Sequence, residues 1–103
     1  MRWRRNHPLC DLSTIPDTVC ASTFADDLVM FSRVDATTWQ GAGTLVGMLD
    51  TWLLRCLLPG PDGGQWTLTA VDADKAFTSI GNGMFEPLYL VFRVDATEIY
   101  FTL

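Results

Sequence analysis

The chain has 103 residues, a formal net charge of -5, 49% hydrophobic and 18% charged residues, which suffices for one compact core and excludes global disorder. Arg2, Arg4 and Arg5 stand in the first five residues, so from His7 onward four basic residues face all twelve acids. A body of that sign repels phosphate backbones: nucleic acid is not expected as a partner, and a basic protein suits it better. So apolar a composition in a short chain also favours a homodimer, in which part of the apolar surface is covered.

Residues 1–21 mix Arg, Asn, His, Pro and Asp with scattered apolar residues and are read as an irregular arm, leaving 22–103 as a single domain. The basic start is interrupted by His7-Pro8 and Asp11, so a secretion signal is not expected. Cys10, Cys20 and Cys56 are odd in number and lack ligand spacing, which points to reduced thiols in a cytoplasmic protein and to no metal or other cofactor.

Leu28 to Phe31 is a short β-forming run and predicts a strand. Thr37 and Gln40 have capping-box spacing, and Trp39, Ala42, Val46, Leu49, Leu53, Cys56 and Leu57 recur at three- and four-residue steps, which predicts a long amphipathic helix ended by Pro59 to Gly64. Gly41, Gly43 and Gly47 are costly in such a helix and suggest either close approach of another backbone or irregular first turns. Asp50 and Arg55 within the apolar stretch argue against a membrane span. Trp66, Leu68 and Ala70 alternate with Thr67, Thr69 and Val71 as in a half-buried strand, and Asp72 to Ile80 is read as one helical turn. Two further alternating runs, Leu88 to Val94 and Ile99 to Leu103, predict strands joined by a tight turn at Asp95 to Thr97. The expected fold is α+β: an antiparallel sheet of about four strands in β-α-β-β-β order, with one long helix across a face.

Arg33-Val34-Asp35-Ala36-Thr37 returns at Arg93-Val94-Asp95-Ala96-Thr97, each time after an apolar run begun by phenylalanine. One local device is expected at both places, a strand ending in an Asp-led turn, with one extra residue, Ser32, in the first copy. The first copy is expected to lead into the helix and the second into a strand.

Two stretches are similar to motifs of reverse transcriptases and related polymerases. Phe24-Ala25-Asp26-Asp27 and the residues to Phe31 resemble the metal-holding Asp-Asp hairpin, and Val71 to Phe77 resembles the strand-end Asp motif that supplies a further carboxylate. The resemblance implies paired-metal phosphoryl transfer. Here the two motifs stand in the reverse of the family's order, Thr78 replaces a second acid, and there is no room for a basic template groove. The aspartates are therefore read as opening a strand and capping a helical turn. His7 has no orienting partner in the sequence pattern, Cys56 reads as a buried small hydrophobe, and Gly41-Ala42-Gly43 lacks the lysine of a phosphate loop.

Trp39 and Trp66 are assigned to the core. Trp52, Leu54 and Leu58 form a second apolar patch on the helix, and Tyr89, Val91 and Arg93 share the face opposite Leu88, Leu90 and Phe92. These six residues are the expected interface or ligand positions. No catalytic residue stands out. The functional expectation is a non-catalytic interaction module acting as a homodimer. Its alternatives are a binder of a small apolar or aromatic ligand, or minor enzyme, with a cavity between helix and sheet, and an acidic immunity-type or antitoxin-type neutraliser of a basic partner.

Overall fold

The computed structural model describes Leu12 and residues 15–23, 25–58, 64–81, 90–94 and 97–102. They form β1 (Thr18–Thr23), β2 (Leu28–Asp35), β3 (Thr38–Leu45), β4 (Met48–Leu58), β5 (Gln65–Ala70), β6 (Lys75–Gly81), β7 (Leu90–Val94) and β8 (Thr97–Thr102). The strands close into one antiparallel barrel in the order β1-β2-β3-β4-β5-β6-β8-β7. The seam is β1 against β7, with Ala21 opposite Phe92 and Thr23 opposite Leu90. The fold is therefore all-β, not α+β, and the described residues contain no α-helix. None of them belongs to a helix long and apolar enough to cross a membrane.

The segment expected to be helical is the hairpin β3–β4, paired without a break from Thr38 opposite Arg55 to Leu45 opposite Met48. On β4 the alternation is clear once burial is known: Asp50, Trp52, Leu54 and Cys56 point inward and are buried, and Leu49, Arg55 and Leu57 are exposed. Because Leu49, Leu53 and Leu57 make the outward positions apolar as well, the period of two is masked, and apolar residues fall by coincidence at helical steps. Thr37 does not cap a helix; its amide donates to Asp35 Oδ1 at 2.9 Å in the turn between β2 and β3.

Of the three glycines, Gly41 alone is closely approached by another backbone, between strands. A Cβ on Gly41 would stand 2.4 Å from the carbonyl oxygen of Met30 on β2. Asp72 to Ile80 also departs from its expected helical turn: residues 71–74 form a tight turn and β6 follows. The strands expected around Leu28, Trp66, Phe92 and Ile99 are present as β2, β5, β7 and β8, and Val94 pairs with Thr97 across the tight hairpin. β1 begins at Thr18, within the stretch read as the arm.

An eight-stranded barrel has an interior about wide enough for side chains to fill. Here Trp39, Trp52, Trp66, Phe31, Phe92 and Phe101 fill it, each no more than 1% exposed. Their rings pack edge-on or tilted, with centroids 5.5 Å apart for Trp39–Trp66 and 4.9 Å for Trp66–Phe92. Such contacts add about 0.5–1.5 kcal/mol each beyond area burial. Trp39 Nε1 donates to the Pro16 carbonyl at 3.0 Å and Trp52 Nε1 to that of Gly43 at 2.9 Å, so neither indole is buried with an orphan donor.

The β3–β4 hairpin turns through Val46 and Gly47 with φ of 53° and 75°. Positive φ at both central residues defines the turn that suits strand twist and favours Asn-Gly, whereas a β-branched residue is strained there. Val46→Asn is expected to stabilise the fold by about 1 kcal/mol, read as a rise of roughly 4–8 °C in Tm by thermal circular dichroism; an unchanged or lowered Tm would show that the turn carries no such strain.

Candidate functional site

One end of the barrel is stopped by the residues before β1. Ile15 is 3% exposed and belongs to the core, and Leu12 packs against it. Arg33, at the end of β2, holds this plug. Its Nη2 donates to the carbonyls of Leu12 at 2.9 Å and Ile15 at 2.6 Å, Nη1 to Ala36 at 3.1 Å, and Nε to Asp17 Oδ1 at 3.0 Å. The guanidinium also lies over Trp39, 4.3 Å from the ring centroid. One planar fork thus satisfies several carbonyls and stacks on an aromatic face, a combination that lysine's single ammonium does not reproduce.

The repeated pentapeptide explains why Arg33 does this and Arg93 does not. Phe31 and Phe92 both point into the barrel. Ser32 adds one residue between Phe31 and Arg33, which turns Arg33 to the inner side, whereas Arg93 follows Phe92 directly and points outward. There Arg93 pairs with Glu98, which also accepts from the Tyr100 hydroxyl at 2.7 Å. The Tyr100 hydrogen bond, followed by Arg93, holds the Glu98 carboxyl below the usual range, and Glu98 in turn pushes the Tyr100 phenol up.

The opposite end is made by residues 25–27, the Val46-Gly47 turn and the turn 71–74. Asp27 Oδ2 receives the Thr23 hydroxyl and, at 3.1 Å, the Val46 amide, tying the first turn to the second. Asp50 is 7% exposed and receives the amides of Thr51, Asp72 and Ala73 at 2.7, 2.9 and 3.0 Å, tying β4 to the third turn. These amide donors, Asp72 first, lower its pKa. Asp26, Asp72 and Asp74 remain exposed at this end, with Lys75 as its one base among the described residues.

The aspartates of the stretches that resemble polymerase motifs, Asp26, Asp27, Asp72 and Asp74, therefore all lie at this end, between strands. Among the described residues no group of His, Cys, Asp and Glu could hold a metal ion.

The outer wall is apolar in places. Leu28 and Met30 on β2 are 62% and 55% exposed, and Leu49 on β4 is 81% exposed. Thr44 opposite Leu49 lies between them on β3, and Cys20 on β1 faces Met30. The exposure of Leu49 and Leu28 was not signalled in the sequence: Leu49 falls in the stripe of three- and four-residue steps and Leu28 opens a short β-forming run, while solvent-side positions of a strand are expected to be polar.

The expected interface residues are dispersed. Trp52 and Leu54 are buried inside the barrel and form no surface patch, because β4 turns its even-numbered side chains from Asp50 to Cys56 inward. Leu58 is exposed at the end of β4, away from both. Val91 and Arg93 do share the outer face, beside Tyr100 and Glu98; Tyr89 lies outside the described residues, as do His7, Cys10 and Trp3. With no helix over a sheet, the cavity proposed between them has no counterpart, and the enclosed space is the aromatic-filled barrel interior. Cys20 is exposed and Cys56 buried, both as free thiols, and burial raises the Cys56 pKa.

Arg33→Lys is expected to loosen the plug at a cost of about 2–3 kcal/mol, seen as a lower midpoint in urea and red-shifted Trp fluorescence; a variant with unchanged midpoint would remove the latch from the account. The lowered pKa values of Asp35, Asp50 and Glu98 mean that each carboxylate stabilises the fold above its unfolded pKa and that this contribution is lost as pH falls through the folded value. Stability should therefore decline in the acid range below the ordinary carboxylate pKa, and less steeply in Asp50→Asn, as read by Tm against pH; a parallel slope in the variant would contradict this assignment.

Compared with protein-family models, curated proteins and solved structures, the chain matches none.

Proposed function

We propose that this protein is a non-catalytic interaction module, a rigid filled barrel that meets another protein with its outer wall. The observation that carries the reading is the contrast between an interior occupied by six large aromatic side chains and an outer wall on which Leu28, Met30 and Leu49 stand open. A filled barrel leaves recognition to its outside, and clustered exposed leucine and methionine mark contact surface rather than solvated wall. The residues available for chemistry support the same reading, since the Asp50 and Asp27 carboxylates are engaged with backbone amides of the turns. Placement in the cytoplasm is part of the proposal and draws support from the free thiols of Cys20 and Cys56 among the described residues, one on each side of the wall.

Self-association through this wall would bring the acidic turns of two copies near one another, so it requires screening. In about 1 M NaCl, where the Debye length is roughly 3 Å, sedimentation equilibrium should show the mean mass rising with concentration, and Leu49→Glu should abolish the rise. A wild-type protein that stays monomeric and a variant identical to it would sink the reading of this wall as adhesive.

A further inference from the structure

We infer that the acidic end of the barrel, with Leu28, Val46 and Leu49 beside it, docks a cationic protein segment carrying an apolar anchor. This rests on the reading of the outer wall as a contact surface and assigns its occupant. The net charge of the described residues is concentrated at one end of the barrel. Asp26, Asp27, Asp50, Asp72 and Asp74 lie at the end formed by the three turns, whereas toward the plugged end Arg33, Arg55 and Arg93 are offset by Asp17, Asp35 and Glu98. Lys75 alone opposes the acids where they gather.

The apolar part of the surface is continuous with that end. Asp27 Oδ2 binds the Val46 amide, so the chain entering β2 at Leu28 is fastened to the tip of the β3–β4 hairpin, and Leu49 follows that tip on β4. Asp50 fixes the third turn to the same strand. The surface is thereby preorganised: backbone amides donating to Asp27 and Asp50 tie the first turn to the second and the third to β4, which limits the ordering cost on binding.

Charge selects among the occupants. A second copy related by a two-fold axis would set Asp26 and Asp72 near their own counterparts, and nucleic acid carries the wrong sign. A segment with Lys or Arg flanking Leu or Trp places its anchor over Leu49 and its cations over the exposed aspartates, so attraction and desolvation act together.

The test uses the full chain and a short fluorescein-labelled peptide with a Leu-Trp pair between lysines, its glutamate twin and an uncharged twin, followed by fluorescence anisotropy. Micromolar binding of the lysine peptide at low salt is expected, weakened about tenfold by Leu49→Ser, by Asp26→Asn with Asp72→Asn, and by moderate salt. The substituted positions are exposed, and unchanged Tm in each variant establishes that the fold persists. Binding of the glutamate or uncharged twin as tight as that of the lysine peptide, with loss in Leu49→Ser, would overturn the cationic assignment and leave the contact wall standing. Absence of binding by all three peptides would overturn the assignment too, and the high-salt self-association then decides whether the wall reading falls with it.

Discussion

Closing eight strands on themselves fixes the width of the space inside, and that space must be filled by the side chains that point into it. The constraint accounts for the unusual aromatic content of the chain. Trp39, Trp52 and Trp66 come from three consecutive strands, β3, β4 and β5, and Phe31, Phe92 and Phe101 complete the filling from β2, β7 and β8. Small residues stand where bulk has no room: Ala21, Ala70 and Gly41 are buried on the same inner side. The indole donors that this packing buries reach Pro16 and Gly43 carbonyls, so the filling and the plug are parts of one arrangement.

With the interior full and the Asp27 and Asp50 carboxylates engaged in turns, the proposed recognition falls to the outside. There the distribution is uneven. Polar outward positions such as Thr67, Thr69 and Gln40 alternate with the core in the ordinary way, while Leu28, Met30 and Leu49 break the alternation near the acidic turns. The plugged end carries the arginines, with Arg33 largely enclosed by the segment it holds and Arg93 neutralised by Glu98. The two ends therefore offer different surfaces to a partner.

Strands with one apolar and one polar face were legible in the sequence. β5 reads directly from Trp66, Leu68 and Ala70 against Thr67 and Thr69, and β7 and β8 read from Phe92, Ile99 and Phe101. The hairpin β3–β4 was not, because leucine occupies both faces of β4 and a Val-Gly turn lacks the asparagine or aspartate that announces such hairpins. A helix in place of that hairpin removes two strands, and an arm at β1 and a helical turn at β6 remove two more, and with them the prospect of closure; the helix also puts Trp52 at the surface, whereas it is buried in the interior. The exposure of Leu28 and Leu49 had no sequence signature, since an exposed leucine is recognisable only after the face it occupies is known. The role of Arg33 was within reach: one inserted serine between two otherwise matching stretches reverses the side on which the arginine emerges.

The seam has a further consequence for how the chain acquires its structure. β1 is bordered by β2 and β7, so Ala21 waits for Phe92, a partner six strands further along the chain. Until β7 arrives, the ribbon from β1 to β6 has two unpaired margins and a row of tryptophans open to water. Closure is thus a late, long-range event, slow to reach because the loop entropy is spent before the seam rewards it, and a ribosome-bound or truncated chain that ends before β7 presents an open sheet edge of the kind that invites sticking to its neighbours.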